Sequence, residues 1–460
     1  MEKVRGRSRV HVRAWMGPAV AALVMLVPGG YALAWSFQGG FEHYRKFFGQ
    51  GESAGLVAGS VLYSVWAYIG ALALGVLTAW AVPRLRARRL RRAMLCMLLM
   101  PVFVPAACWA ASMPRLIGEN AGVAPWAYGL LASLRGGGMI GFAGAAFALA
   151  NPGRGFWKGV GWASLLWTFL CLTPDFELVY ITQSAATATL DLYAFREGLM
   201  RMDIGMASAV FAVKAGLQLL IGGVACGGVY FVFLRGRREP LDTFVREEVT
   251  RVPMAWALSV GVLGLGVLLV LMLSLSLGGE EAPLLQSLPR QLALTVLSGG
   301  VGFLFAWMMI GGLRTLGRLA FCGMAGIFLA LHNPLAGQYA LIRGLGLENT
   351  LVPVMLTALF SPVGMLLTLL CARLSCTPRL EDKALWRLAL LPASYAMANA
   401  WGGLAVPFTA FSRLEMFPWG LRMYYGLQQT GQAGTLAYVG VLAVPLLLAL
   451  LGGWAASYSQ

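Results

Sequence analysis

The sequence predicts an all-α membrane protein of about twelve transmembrane helices, arranged as two like-oriented halves of about six. Composition is the first reason: 59% of the 460 residues are hydrophobic and only 12% are charged. That charged share is about half of what soluble domains carry. An internal repeat is the second reason. Residues 118–125 read G-E-N-A-G-V-A-P and residues 346–353 read G-L-E-N-T-L-V-P, so that Gly118 and Gly346 lie 228 positions apart.

Apolar runs long enough to cross a bilayer define the individual helices. A bilayer core takes about 20 apolar residues per helix. The candidate spans are 14–37, 55–82, 93–112, 123–150, 159–182, 208–234, 254–277, 291–313, 316–336, 350–371, 388–410 and 433–456. The first span has an alternative interpretation as a signal peptide, because a basic segment precedes it and Ala32-Leu33-Ala34 resembles a cleavage site.

Basic residues indicate the orientation of these spans. If the N-terminus is cytoplasmic, the inner segments hold 24 of the 35 Lys and Arg residues, and the outer loops hold nine. The positive-inside rule therefore predicts that both termini are cytoplasmic. Residues 84–92, R-L-R-A-R-R-L-R-R, are the strongest inner anchor and are expected to touch anionic lipid. The net charge of +16 is thus a sign of topology, and no nucleic acid partner is expected.

The chain divides into two permease-like halves, residues 1–240 and 254–460, joined by a polar cytoplasmic linker at 241–253. No G-x-x-x-x-G-K-[ST] phosphate loop is present, so ATP binding in that way is excluded. The seven cysteines lack metal-site spacing, and His11, His43 and His332 are far apart. We expect no cofactor, no metal site and no catalytic residues.

The second half carries several short motifs in a fixed order. L-E-N-T (347–350) precedes S-P-V-G (361–364), and W-R-L-A-L-L-P (386–392) precedes F-P-W-G-L (417–421). This order resembles the membrane subunits of carbohydrate-uptake ABC importers of the maltose type. The first half is similar to the companion subunit of that family at F-E-L-V-Y-I-T (176–182), T-L-D-L-Y-A-F-R-E-G (189–198) and G-M-A-S-A (205–209).

This resemblance implies a type I ABC importer permease fold with both pore-forming subunits fused into one chain. It implies alternating access in a bacterial cytoplasmic (inner) membrane, with a small-molecule substrate that is a carbohydrate. The implied partners are cytoplasmic ATP-binding subunits, which would carry the ATPase activity, a periplasmic solute-binding protein and the lipid bilayer. The chain itself would not be an enzyme.

The loops that would contact the ATPases depart from the family pattern. The family's E-A-A followed by Gly is absent, and Pro362 and Pro392 are only 30 positions apart. In the first half, residues 148–160 run almost directly from one span into the next. Either the partner ATPase is adapted to short loops, or coupling to ATP is weakened or lost. The residues that we assign to these loops are Asn151, Arg154, Trp157, Pro378, Leu380, Glu381, Leu385 and Trp386.

Charged and aromatic residues inside the spans are the candidates for a substrate path. Arg135 lies near mid-depth and is expected to face the bundle interior, paired with Asp175 or Glu177. The alternative is a purely structural ion pair. Sugars bind to aromatic faces and hydrogen-bonding side chains, which points to Tyr180, Trp401 and Phe408 with Asn399. The same roles are open to core packing. Lys214 is expected to extend toward the outer interface.

Two other functions stay open from the sequence. One is an importer of the same kind for iron or thiamine, where fused permeases also occur. The other is a permease-like protein that is not coupled to ATP, such as a secondary transporter, and the short loops favour it. A membrane enzyme is the weakest alternative, because no His, Asp and Glu cluster occurs at catalytic spacing.

Overall fold

The computed structural model describes residue 19 and residues 27–85, 87–105, 107–109, 124–151, 155–169, 189–229, 287–331, 335–359, 361–376, 385–430 and 435–458. Across these ranges the regular secondary structure is helical, and no described residue lies in a strand. This confirms the predicted all-α class.

The first half contains seven labelled helices. They are α1 (Glu42–Gly49), α2 (Ser53–Ala81), α3 (Arg88–Phe103), α4 (Ala124–Ala150), α5 (Gly155–Phe169), α6 (Leu190–Phe195) and α7 (Ile204–Val229). A short π-helical turn, Arg196–Met200, continues α6. The longest of these helices are apolar because they cross the membrane, where every backbone N–H and C=O must be bonded within the helix.

The second half contains nine labelled helices. They are α8 (Leu288–Leu313), α9 (Arg318–Ala330), α10 (Leu335–Gly344), α11 (Val352–Leu359), α12 (Pro362–Leu374), α13 (Leu385–Gly402), α14 (Ala405–Ala410), α15 (Trp419–Thr430) and α16 (Thr435–Tyr458).

Five described helices are long and apolar enough to cross a membrane: Ser53–Arg84, Tyr128–Ala150, Ile204–Gly228, Leu288–Leu313 and Ala437–Ser457. They match the predicted spans 55–82, 123–150, 208–234, 291–313 and 433–456, which supports a multi-pass membrane protein. Two shorter apolar helices, Arg318–Ala330 and Pro362–Leu374, fall within the predicted spans 316–336 and 350–371. The predicted spans 14–37 and 159–182 are described in part, and 254–277 lies outside the described residues.

Three predicted spans are not continuous helices, and the prediction was wrong there. The span 93–112 begins earlier, at Arg88, and α3 ends at Phe103 before Pro105. The span 350–371 is two helices, because Pro362 begins α12 after Ser361, whose hydroxyl accepts the Gly364 N–H at 3.0 Å. The span 388–410 is likewise divided between α13 and α14. Proline removes a backbone donor, and serine caps a new helix, so apolar character alone does not secure continuity.

Each half has its own packing order. In the first half α4 lies along α2, α5 packs on α4, and α7 packs on α5. In the second half α12 packs on α8, α13 packs on α12 and α8, and α16 packs on α13. Several contacts join the halves: α3 packs along α16, α9 packs on α7, and α5 contacts both α9 and α12. The largest hydrophobic core is therefore shared, and it includes Leu165 and Ile140 together with Phe305 and Leu391.

Glycines permit the closest helix contact in the first half. A Cβ atom on Gly137 would lie 2.8 Å from the Leu74 Cβ, and one on Gly141 would collide with the Thr78 hydroxyl. This G-x-x-x-G pair therefore brings α4 against α2. The same motif at Gly223 and Gly227 does not, because no described atom outside the helix backbone lies within 4 Å of a Cβ there.

Candidate functional site

Arg135 is buried in the middle of α4, as predicted, with 7% of its surface exposed. Its Nη2 donates to the carbonyl oxygen of Val102 at 3.4 Å. Val102 lies in the last turn of α3, where carbonyl groups have no intrahelical partner. Arg135 thus places a positive charge at a helix C-terminus, which is the favourable end of the helix dipole for a cation.

The partners that the sequence suggested for Arg135 cannot be placed. Asp175, Glu177 and Tyr180 lie outside the described residues. The pairing with Asp175 or Glu177 therefore stays a prediction, and the described contact of Arg135 is its bond to the Val102 carbonyl oxygen. The sequence signal for this contact is Pro105, which marks the end of α3 beside the arginine.

Lys214 forms an ion pair inside the helix bundle, with its Nζ 2.5 Å from the Asp191 Oδ1. Only 3% of the Lys214 side chain is exposed, so the expectation that it extends to the outer interface was wrong. The reason is that α7 begins at Ile204, which puts Lys214 about 15 Å along the helix. The other Asp191 oxygen, Oδ2, is buried and has no hydrogen-bond partner among the described residues.

Asp191 reaches Lys214 because α6 folds back against α7. The chain reverses at residues 201–203, where Met202 has a φ of 59°. The start of α6 is fixed to α2, since the Leu190 N–H donates to the Ser60 hydroxyl at 2.9 Å. Asp191 was not predicted to pair with Lys214. The available signal was that Asp191 lies in the segment just before a span whose single lysine is Lys214.

Similar side-chain hydrogen bonds fix the start of α15 in the second half. Gln291 on α8 accepts the Trp419 N–H through its Oε1 at 3.4 Å. Its Nε2 donates to the carbonyl oxygen of Ala400 at 3.2 Å. In each half, therefore, a polar side chain on the first long helix holds the beginning of a shorter helix.

Two of the predicted aromatic residues, Trp401 and Phe408, lie in one cluster. Trp401 is buried, its Nε1 donates to the Gly440 carbonyl oxygen at 3.1 Å, and its ring lies 4.9 Å from that of Trp419. Phe408 packs edge-to-face on Tyr424 at 5.8 Å. Asn399 lies on α13 and is partly exposed. The Trp401 interactions are those of a core residue that holds α13 to α16.

This aromatic cluster also contains residues of the first half. Trp401, Trp419 and Tyr438 share it with Tyr63, Tyr128, Leu131 and Ala132. Leu131 and Ala132 lie one turn before Arg135 on α4. The structure therefore brings Arg135 and the predicted aromatic residues of the second half to the same region, where the two halves meet.

The turn of the first half that is predicted to lie on the inner side is tight. Helix α4 ends at Ala150 and α5 begins at Gly155, and the Gly155 N–H donates to the Asn151 carbonyl oxygen at 2.8 Å. A Cβ on Gly155 would collide with the Phe147 carbonyl oxygen, so only glycine fits. Trp157 follows on α5 and contacts Phe156 edge-to-face at 4.8 Å. Arg154 lies outside the described residues.

The predicted inner loop of the second half is longer, since α12 ends at Leu374 and α13 begins at Leu385. Pro378, Leu380 and Glu381 lie outside the described residues. Leu385 is partly buried against the core, whereas Trp386 is 46% exposed, with the Arg387 guanidinium 5.4 Å from its ring centre.

Arg373 joins three helices beside this loop, a role that the sequence analysis missed. Its guanidinium carbon lies 3.8 Å from the ring centre of Phe321 on α9 and 4.6 Å from that of Trp162 on α5. Its Nη2 donates to the Gly317 carbonyl oxygen at 3.3 Å. The sequence does not indicate this role, because the partners of Arg373 come from distant parts of the chain.

Asn349 of the L-E-N-T motif joins two loops on the predicted outer face by hydrogen bonds. Its Oδ1 accepts the N–H groups of Ser412 at 2.9 Å and Arg413 at 3.2 Å, and its Nδ2 donates to the Ser412 hydroxyl at 2.9 Å. Its φ is 59°, in the left-handed region that asparagine tolerates better than most residues. Backbone conformation and hydrogen bonding thus both favour Asn at this position.

Comparison with known proteins identifies no relative: no family model, no curated protein and no solved structure matches the chain. In the part of the chain that the structure describes, no group of three or more His, Cys, Asp or Glu residues is placed to hold a metal ion.

Proposed function

We propose that this chain is the membrane permease of a binding-protein-dependent ABC importer, with both pore-forming halves in one polypeptide and a carbohydrate as substrate. The observation that carries the proposal is the reciprocal contact between the halves. Helix α3 of the first half packs along α16 of the second, and α9 of the second half packs on α7 of the first.

The sequence repeat relates the α3–α16 contact to the α7–α9 contact. Shifted by the 228 positions that separate Gly118 from Gly346, α3 corresponds to residues 316–331 and α7 to residues 432–457. Those ranges coincide closely with α9 and α16. The two side contacts are therefore equivalents of each other, as expected for two like halves that face each other across an axis normal to the membrane.

Contacts within each half follow the same correspondence. The pairs α2–α4, α4–α5 and α5–α7 have counterparts in α8–α12, α12–α13 and α13–α16. The tie from Ser60 to the start of α6 has a counterpart in the tie from Gln291 to the start of α15. A parallel repeat accounts for these similarities without further assumptions.

Two such halves can open a path alternately to each side by rocking against each other. Buried ionisable residues inside a membrane bundle usually mark such a path, and here Arg135 and the Lys214–Asp191 pair lie in that position. The aromatic cluster at the junction of the halves suits a sugar, whose C–H face packs on aromatic rings. Catalysis would be absent from the chain, and ATP hydrolysis would belong to cytoplasmic subunits.

The inner loops decide whether ATP drives the motion. The short turn between α4 and α5 leaves no room for an additional coupling helix, whereas the loop before α13 is longer and ends beside exposed Trp386. We therefore propose an ATPase adapted to short loops that engages mainly the second half. The tight turn also favours the second candidate function, a permease-like transporter without ATP coupling. An iron or thiamine cargo is the alternative within the importer class.

Affinity purification of the tagged full chain from its native membrane, followed by mass spectrometry, tests the proposal. We expect an ATP-binding subunit to co-purify, and we expect the substitution Trp386→Ala to reduce its recovery. Trp126→Ala is the matched control, since Trp126 is also exposed but lies near the predicted outer end of α4.

Recovery of the folded chain without any ATP-binding subunit would contradict the importer function. Uptake into vesicles that follows an ion gradient in the absence of nucleotide would then favour the uncoupled transporter. Equal loss of the ATPase in both tryptophan variants would contradict engagement through the second inner loop.

A further inference from the structure

A cluster of arginines lies where α2 ends and α3 begins. The apolar helix that contains α2 runs from Ser53 to Arg84, and α3 starts at Arg88 with the sequence R-R-L-R-R. We call Arg84, Arg88, Arg89 and Arg91 the arginine corner. Because the membrane-crossing helix ends at Arg84, the corner lies at the level of the lipid headgroups.

Buried neighbours hold the corner in place. Leu85 is buried, and its N–H donates to the Val82 carbonyl oxygen at 3.2 Å. Arg84 donates to the Trp80 carbonyl oxygen at 2.6 Å, and its guanidinium carbon lies 4.3 Å from the centre of the Trp80 ring. Arg88 and Arg89 are exposed. The positive charges therefore lie on residues fixed by the end of one helix and the start of the next.

No acidic side chain among the described residues balances these charges. None of the four arginines belongs to an ion pair found in the described part of the chain. The first turn of α3 contains no acidic residue, although that end of a helix favours negative charge. Partial burial and then the charges of Arg88 and Arg92 lower the pKa of Arg91, so the arginines repel one another. An anion bound here would relieve this repulsion.

An apolar stripe on α2 leads directly to the corner. Leu62, Trp66, Ile69, Ala73, Leu77 and Trp80 are all exposed and recur at helical spacing, with Arg84 next on the same face. A free phosphate ion would make no apolar contact with this stripe. A phospholipid can contact both features, because its acyl chain can lie along the stripe while its phosphate contacts the arginines.

We propose that the arginine corner and the exposed face of α2 together form a binding site for an anionic phospholipid. The phosphate and acidic headgroup contact Arg84, Arg88, Arg89 and Arg91, and one acyl chain packs on Leu77 and Trp80. This inference does not depend on the proposed transport function.

Lipid retention by the purified full chain tests the site. The protein is reconstituted in equal parts of phosphatidylcholine and phosphatidylglycerol, extracted again in mild detergent, and the retained lipids are measured by native mass spectrometry. We expect enrichment of phosphatidylglycerol on the natural sequence. Each basic residue near a membrane surface contributes about 1 kcal/mol, so R88Q/R89Q/R91Q should lower this retention on the order of tenfold or more.

Two further variants separate charge from folding. R88K/R89K/R91K keeps the charge and should retain phosphatidylglycerol. R45Q/R196Q/R413Q removes the same charge from exposed arginines elsewhere and should also retain it. Thermal unfolding in detergent shows whether each variant is folded.

Three results would overturn the assignment. The first is equal retention of both lipids by the natural sequence, or unchanged retention by the glutamine variant. The second is displacement of phosphatidylglycerol by inorganic phosphate at equal concentration, which would indicate a small-anion site. The third is loss of a co-purifying protein in the glutamine variant while lipid retention persists, which would indicate an acidic protein surface as the partner.

Discussion

At the residue scale, each buried charge near the middle of the bundle has a partner from a different segment. Arg135 on α4 donates to the end of α3, and Lys214 on α7 pairs with Asp191 on α6. The sequence predicted the burial of Arg135, because a charge at mid-depth is costly when it faces lipid. It could not predict either partner, since both depend on where a neighbouring helix begins or ends.

The Lys214–Asp191 pair should be strongly coupled energetically. Lys214→Met leaves the partly buried Asp191 carboxylate without its cation, and Asp191→Asn leaves a buried ammonium, so each should lower stability by up to about 3–5 kcal/mol. The double variant should recover much of this loss, because neither charge is left alone. Thermal unfolding in detergent, arranged as a double-mutant cycle, measures the coupling. Additive losses in the double variant would show that the two residues do not interact.

Asn349 offers a second test, in which backbone strain and hydrogen bonding can be separated. Asn349→Gly keeps the left-handed conformation but loses the side-chain bonds to Ser412 and Arg413, at about 1 kcal/mol for each bond. Asn349→Ala adds a left-handed strain of roughly 1–2 kcal/mol. The unfolding temperature should therefore fall in the order Asn, Gly, Ala. An alanine variant as stable as the glycine variant would contradict the strain component.

At the element scale, the errors of prediction occur where a helix is interrupted within an apolar run. Hydropathy identified the runs that contain α3, α11 with α12, and α13 with α14. It could not show that they are interrupted, because average hydropathy does not register the loss of a single hydrogen-bond donor. Pro105 and Pro362 were the available signals. Uninterrupted spans such as 55–82 and 291–313 were predicted to within a few residues.

Helix packing yields a test with two glycines in matched contexts. Gly141→Ala places a methyl group against the Thr78 side chain and should force α4 away from α2, with a loss of about 1–3 kcal/mol. Gly223→Ala meets no described atom within 4 Å and should stabilise α7 by up to about 1 kcal/mol, through helix propensity. Thermal unfolding of the two variants side by side provides the comparison. A Gly141→Ala variant at least as stable as the natural sequence would argue against close packing of α2 and α4.

At the scale of the whole molecule, the repeat proposed from the sequence did not indicate that α3 packs on α16 or that α9 packs on α7. The spacing of Gly118 and Gly346 predicts two like units. It cannot show which helix of one unit packs on the other, because that depends on surfaces far apart in the chain. Of the residues assigned to the substrate path, Arg135 is buried as predicted, whereas Trp401 is hydrogen-bonded in the core. Asp175, Glu177 and Tyr180 lie outside the described residues.

Two native cysteines can report on the contact between α7 and α9. The thiol of Cys226 on α7 contacts that of Cys322 on α9, and both cysteines are free. With a protease site inserted in the linker at residues 241–253, mild oxidation should keep the two halves joined on a denaturing gel until reductant is added. Cys226→Ser should abolish this link. Separation of the halves after oxidation of the natural cysteines would indicate that α7 and α9 are not in contact.

The central claim is that two like halves face each other across an axis normal to the membrane. In this arrangement α3 of the first half packs on the second half, and α9 of the second half packs on the first. An electron cryomicroscopy structure of the full chain in nanodiscs tests it most directly, by superposition of residues 53–229 on residues 288–458. We predict that one half superposes on the other by rotation about that axis, with the segments around Gly118 and Gly346 on the same side of the bilayer. Halves that do not superpose, or Gly118 and Gly346 on opposite sides, would contradict the claim.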